Sequence, residues 1–184
     1  VERDAALDEE RKRSSELEAV ASFQADQLAA IEPSVMGESL RASVLEALSV
    51  DDREALVESF AEVNFTSVAL ESLDETLFAA SLKAVDERFD EQPLVRARLL
   101  QTLANTMSEL GLLDQAVQPQ MQALELRRKA LGEEHRQTLD SLSWLGVLER
   151  ERGNSAVAER NTRHAMEIRE RVLGRDDTDT LASY

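Results

Sequence analysis

Histidine and cysteine, which often bind metals or act as nucleophiles, are scarce in this chain. There is no cysteine, and the two histidines, His135 and His164, lie 29 residues apart. The lack of cysteine excludes disulfides, thiolate metal ligands and cysteine nucleophiles. The histidines do not have the short spacing of a metal-binding pair. We therefore predict neither a metal site nor a cofactor.

Adjacent carboxylates are the other groups that could perform acid–base chemistry. Glu133 and Glu134 form one such pair, and Asp176 and Asp177 form another. Two carboxylates catalyse only when burial and a fixed separation drive their pKa values apart. Exposed acids near the start of a helix instead complement the helix dipole. The second interpretation is favoured, and an acid–base hydrolase is kept as a third hypothesis.

Motifs of phosphate chemistry are missing from the sequence. The six glycines form no glycine-rich loop and no Walker sequence. The stretch His135-Arg136-Gln137 lacks the aspartate of a kinase catalytic loop. We predict that this segment is not an enzyme.

Net charge restricts the classes of partner. The chain has 184 residues with 21 basic and 37 acidic side chains, which gives a formal net charge of −16. The basic residues are interspersed with acids and form no stripe, which argues against nucleic acid and against an anionic membrane surface. A basic protein or peptide fits this charge, and so does plain solubility. No apolar run approaches the ~20 residues of a membrane helix, so membrane insertion of this segment is not predicted.

An internal repeat organises the second half of the chain. Leu100 and Leu142 lie 42 residues apart, and residues 100–142 align without a gap on residues 142–184. The matching positions are small or apolar residues at helical spacing, which shared composition explains poorly. The matched pairs include Leu103 with Leu145, Gly111 with Gly153, Ala116 with Ala158, Ala123 with Ala165, and Gly132 with Gly174.

Each repeat unit is predicted to form two antiparallel helices. Apolar residues recur every three or four positions in both halves of a unit, and a glycine ends each helix. One helix pair alone would leave an apolar face uncovered, so the units must stack into a curved superhelix with a concave inner surface. The predicted fold class is all-α.

Three segments are predicted along the chain. Residues 1–32 form a long charged helix that serves as a stalk or linker, and residues 33–92 form a helical lead-in that packs on the solenoid. Residues 93–184 form the repeats, of which the last is truncated. In the lead-in, apolar spacing predicts a helix over 76–90, and Pro93 suits the first turn of the next helix.

The repeated residues resemble the signature of tetratricopeptide repeats, at Leu142, Leu145, Gly146, Gly153, Ala158 and Ala165. The spacing of 42 residues and the similar stretches that end at Gly132 and Gly174 resemble the kinesin-light-chain type of repeat. The resemblance covers residues 94–184. It implies a right-handed α-α superhelix, a tetratricopeptide solenoid, that binds other protein segments. Kinesin-light-chain repeats often carry an Asn pair on the first helix, whereas this chain has Ser143 and Trp144.

The upstream region resembles the segment that precedes such repeats in certain large bacterial serine/threonine protein kinases. The residues that carry this resemblance are Glu32-Pro33, Gly37, Asn64-Phe65-Thr66 and Phe89-Asp90-Glu91-Gln92-Pro93. It implies the regulatory region of a membrane-anchored kinase, with the repeats on the side of the membrane opposite the kinase domain. Residues 1–32 would then be the stalk.

The resemblance also implies which residues face the concave surface. Trp144 stands at a position of the first helix that tends to face the groove in this family, while Leu148 one turn later also allows a core position between repeats. Both interpretations stay open. By the same offsets, we predict that the partner-binding face carries Arg98, Gln101, Asn105, Ser143, Trp144, Val147 and Arg150.

The predicted function is a protein-interaction or sensor module that binds a peptide or partner protein on its concave helical surface. The alternative is a self-associating scaffold, in which the repeats form a homodimer and bind no separate ligand. Trp144 would act as an anchor of the interface in the first case. A basic partner would be favoured by the net charge.

Overall fold

The computed structural model describes residues 32–48, 60, 63–175 and 177–181, which form helices and no strand. The predicted charged helix, apart from Glu32, and Tyr184 lie outside these described residues. The helices are α1 (Pro33–Ala47), α2 (Phe65–Leu73), α3 (Ala79–Arg88), α4 (Pro93–Glu109), α5 (Leu113–Leu131), α6 (Arg136–Glu151), α7 (Ser155–Leu173) and α8 (Thr178–Leu181).

The two repeat units are the helix pairs α4–α5 and α6–α7. The helices pack within each pair, and α5 packs against α6 to join the units. The first helix of each unit is followed by a glycine with positive φ, +84° at Gly111 and +85° at Gly153. Only glycine adopts this conformation readily, so these residues end the helices and turn the chain back. The predicted positions of the helix ends are confirmed.

Small residues allow the helices of each unit to approach closely. Ala116 and Ala123 of α5 are fully buried, and their repeat equivalents Ala158 and Ala165 of α7 are buried as well. Larger side chains at these positions would overpack the helix contact. The remaining core consists mainly of leucine, including Leu100, Leu103, Leu124, Leu142 and Leu145, together with Met107.

The side chain of His135 caps the start of α6. The side chain of His135 accepts a hydrogen bond from the backbone N–H of Gln137, with 3.2 Å between the nitrogens. The hydroxyl of Thr138 donates to the carbonyl of Gly132, at 2.9 Å. Side chains that satisfy free backbone groups in this way fix the entry of the chain into a helix.

The inner face of α5 is more polar than the sequence pattern predicts. The helix runs unbroken through Pro119. Met121 stands at helical spacing from Val117 and Leu124, which are both buried, but Met121 itself is 47% exposed. Two polar residues, Gln120 and Arg127, lie on the buried face as well.

The lead-in contains a longer helical segment than predicted. The predicted helix over 76–90 already begins at Phe65, because α2 continues through a π-helical turn at Asp74–Phe78 into α3. Pro93 occupies the first turn of α4, as predicted. The guanidinium of Arg96 in α4 lies 2.8 Å from the carboxylate of Asp86 and 3.3 Å from that of Asp90. These ion pairs hold α4 against the end of α3.

Gly37 permits an unusually close contact between α1 and α2. A Cβ atom at this buried position would lie 2.6 Å from the backbone nitrogen of Thr66 and 2.8 Å from the carbonyl carbon of Phe65. These are backbone atoms at the start of α2, so they cannot rotate away. The contact therefore requires glycine.

We predict that Gly37→Ala displaces α1 from α2. The intrinsic gain in helix propensity is about 1 kcal/mol, but overpacking of a tight contact costs about 1–3 kcal/mol. Backbone hydrogen exchange should show lower protection of residues 33–47. The control is Ser43→Ala, an exposed position of the same helix, which should leave protection equal or higher. Unchanged protection in Gly37→Ala would contradict the close contact.

Candidate functional site

A cleft opens between α4 and α6, the first helices of the two units. Its volume is about 260 Å³, and one residue of α5 contributes to its lining. The lining residues are Ala104, Asn105, Ser108 and Glu109 from α4, Gln120 from α5, and Trp144, Val147, Leu148 and Glu151 from α6. Three of the predicted partner-binding residues, Asn105, Trp144 and Val147, therefore lie together here.

Trp144 is an exposed apolar residue in the lining of this cleft. It is 47% exposed, whereas Leu148 one turn later is buried in the core. Val147, also in the lining, is half-buried. Burying an aromatic side chain is favourable, so Trp144 can stack on the side chain of a partner.

Gln120 forms a polar floor to the cleft. Its side chain is 2% exposed. Its amide nitrogen donates to the backbone carbonyl of Ser141, at 2.8 Å, which ties α5 to α6. Its amide oxygen is buried and has no hydrogen-bond partner among the described residues. An unsatisfied buried acceptor of this kind costs free energy.

The rim of the cleft is acidic. The hydroxyl of Ser108 in α4 donates to the carboxylate of Glu151 in α6, at 2.9 Å, and this hydrogen bond bridges the two helices. Glu109 is exposed on the same rim. No lysine, arginine or histidine is among the residues that line the cleft. The cleft thus combines hydrogen-bond acceptors and negative charge with an apolar surface.

The other four predicted residues lie away from the cleft. Gln101 accepts a hydrogen bond from Arg127, and Ser143 accepts one from Arg169, at 2.9 Å for the second pair. Arg98 is half-buried, and Arg150 is exposed. At 3.6 residues per turn, Arg150 lies roughly 120° around α6 from Trp144. The structure therefore separates the predicted set into a cleft group and a group outside it.

A buried arginine in each unit accounts for the positions of Gln101 and Ser143. Arg127 is 9% exposed and donates to Gln101 of α4 and to Ser141 of α6. Its repeat equivalent Arg169 is 6% exposed and donates to Ser143 and, at 2.7 Å, to Asp140. Arg127 thereby contacts three helices of the solenoid.

Burial lowers the pKa of the Arg127 guanidinium below its usual range. The nearby carboxylate of Asp140 raises this pKa, and the positive charge of Arg98 lowers it. An arginine nevertheless stays protonated at any ordinary pH. The charge is therefore buried at a cost in free energy, and its hydrogen bonds to Gln101 and Ser141 offset that cost. Such a residue holds its neighbours in place.

Sequence reasoning missed Gln120 and Arg127 as determinants of the site. Both stand on the buried face of α5 at helical spacing from Ala116 and Ala123. The sequence signal that could have identified Arg127 is its match with Arg169, 42 residues later. A charged residue repeated on a buried face needs a partner inside the fold.

Two classes of site are absent from the described part of the chain. Within residues 32–48, 63–175 and 177–181, no three acidic or histidine side chains cluster in a way that could hold a metal ion. None of the described helices has the length and apolar character that crossing a membrane requires.

We predict that Gln101→Ala lowers the free energy of unfolding by about 1–2 kcal/mol, because it removes a hydrogen bond to a buried charge. Asn105→Ala, one turn later on the same helix, should change stability by less than about 0.5 kcal/mol. Chemical denaturation measures both values. Equal effects of the two substitutions would show that the Arg127 hydrogen bond does not stabilise the fold.

Comparison with known proteins agrees with the repeat architecture. Residues 95–171, which span most of α4 through α7, match the family model described as tetratricopeptide repeat. No curated protein matches the chain. Among solved structures, the chain is similar to BtubC (BKLC) from P. vanneervenii, with 19% sequence identity and a TM-score of 0.49. The match covers 87% of this chain and 63% of that chain, so this chain spans less than two thirds of its length. The predicted all-α repeat solenoid is confirmed.

Proposed function

We propose that the repeat units bind a segment of a partner protein in the cleft between α4 and α6. Tetratricopeptide repeats generally mediate protein–protein interaction. The observation that carries the proposal for this chain is the exposed indole of Trp144 in that cleft. An aromatic side chain in a concave site is a typical centre of binding energy.

The shape of the cleft supports an extended or helical segment as the ligand. The lining comes from the first helices of two consecutive units, α4 and α6, so a ligand there spans the junction between units. Ser108 and Glu151 are hydrogen-bonded across this junction, and Gln120 is bonded to the backbone of α6. The site is therefore preorganised, which lowers the entropy cost of binding.

The biological setting we propose is the regulatory region of a bacterial serine/threonine protein kinase. It rests on the resemblance of the upstream residues Glu32-Pro33, Gly37 and Asn64-Phe65-Thr66. In that setting, occupancy of the cleft would be reported to the kinase through the stalk. Deletion of residues 93–184 from the full-length protein should then alter kinase signalling, and unchanged signalling would contradict this setting.

Self-association is the second candidate function. Val172 and Leu173 at the end of α7 are large apolar residues that are 44% and 40% exposed. A second copy of the chain that packs on this end of α7 would cover them. In this case no separate ligand is needed.

We predict that a peptide selected from a random display library on the wild-type chain loses affinity for Trp144→Ala by about tenfold or more, because truncation of a central aromatic removes a major contact. Met121→Ala is the matched control, since Met121 is also 47% exposed but lies on α5 outside the cleft. Titration calorimetry measures both variants. Equal affinities would place the ligand elsewhere.

We further predict that the chain remains monomeric over a concentration series in light scattering. Trp144 is the only tryptophan of the chain, so its emission reports directly on whether the cleft is covered. If the mass rises to that of a dimer, and if Val172→Glu prevents this increase, the results favour the scaffold function. A blue shift of Trp144 over the same concentrations would place the second copy in the cleft.

A further inference from the structure

We infer that the cleft beside Trp144 is a subsite for a basic side chain, a lysine or an arginine, of the partner segment. This inference rests on the proposed function and specifies its ligand. It depends on two features of the described lining: carboxylates without a basic side chain beside them, and an exposed indole.

The charge of the lining is uncompensated within the cleft. Glu109 and Glu151 contribute two carboxylates, and none of the described lining residues is basic. The hydroxyl of Ser108 donates to one oxygen of Glu151 and fixes the direction of that carboxylate. The predicted basic residues of this face lie elsewhere: Arg98 precedes Asn105 by about two helical turns, and Arg150 lies outside the cleft. A cation that enters the cleft therefore meets attraction from two acids.

The apolar wall suits the stem of a long basic side chain. Lysine and arginine carry three or four methylene groups that pack on apolar surface while the charged end stays polar. Trp144 and Val147 offer such a surface, and the indole face also attracts cations through its quadrupole. An aliphatic side chain could use the same wall, but it would leave the acidic rim desolvated and unpaired, which is unfavourable.

Gln120 keeps the floor of the cleft fixed. Its amide nitrogen is bonded to the carbonyl of Ser141, so the amide cannot turn over without losing that hydrogen bond. Its amide oxygen is closed to solvent, and none of the described residues donates to it. A bound group therefore reaches this oxygen only if the side chain moves.

An acidic partner side chain is the opposite case. It would place a third negative charge beside Glu109 and Glu151. Like charges in such a site cost free energy and act against a wrong partner. The subsite is therefore expected to select for basic residues and against acidic ones.

The test begins with the residue preference of the binding peptides. Selection on the wild-type chain from a display library of random peptides should enrich lysine or arginine at one fixed position. That residue is then changed to norleucine, citrulline and glutamate, and each peptide is titrated by calorimetry. Affinity should fall by roughly tenfold for norleucine and citrulline, because these replacements remove an ion pair and a cation–π contact. It should fall further for glutamate.

The matching change in the protein is the double variant Glu109→Gln with Glu151→Gln. It should lower the affinity for the basic peptide by roughly tenfold and leave that for the citrulline peptide nearly unchanged. The control, Glu71→Gln with Glu75→Gln, makes the same change in net charge on exposed residues of the lead-in. If the control weakens binding equally, the overall field and not this subsite selects the basic residue, and the inference is wrong.

The outcomes separate this inference from the proposed function. If the selected peptides bind through Trp144 but carry no preferred basic residue, or tolerate norleucine and glutamate, the cleft is a protein-binding site and only the basic subsite is overturned. If basic peptides bind with equal affinity to wild type and Trp144→Ala, both proposals fail. If selection yields no binding peptide, both fail as well.

Discussion

A buried guanidinium between three helices is the interaction on which the concave surface depends. Arg127 extends from α5 and donates to Gln101 of α4 and Ser141 of α6. A charge in this position is tolerated only when its partners stand in fixed places. Since α4 and α6 form the walls of the cleft, the same hydrogen bonds that satisfy Arg127 set the distance between those walls.

The second constraint is that different residues of α5 contact its two neighbouring helices, α4 and α6. Ala116 and Ala123 bring this helix close to α4, while Gln120 between them reaches the backbone of α6. One face of a single helix therefore holds both neighbours, by small size at two positions and by a hydrogen bond at a third. The cleft follows from this arrangement, because α4 and α6 meet over α5 without filling the space between them.

The repeat and the ends of its helices could be predicted from the sequence, because glycine at positive φ and alanine at close contacts leave few alternatives. Gly111 and Gly153 are examples. The sequence did not predict that Asn105 lines the cleft while Gln101 lies outside it. Both are polar residues of one helix, and only the position of Arg127 decides that Gln101 is engaged inside the fold. Exposure of Trp144 likewise depends on how far α6 is rotated against α4, which periodicity alone does not determine.

The arginine pair also shows that the two units are not equivalent building blocks. Arg169 faces Asp140 within its own unit, at the place where Arg127 has Arg98. The first unit therefore carries two neighbouring cations, and its nearby carboxylate comes from the unit that follows. An array made by repeating the first unit would place a second arginine near Arg127 at each junction, whereas the natural order places Asp140 of the second unit there. The two units are therefore not interchangeable in the array.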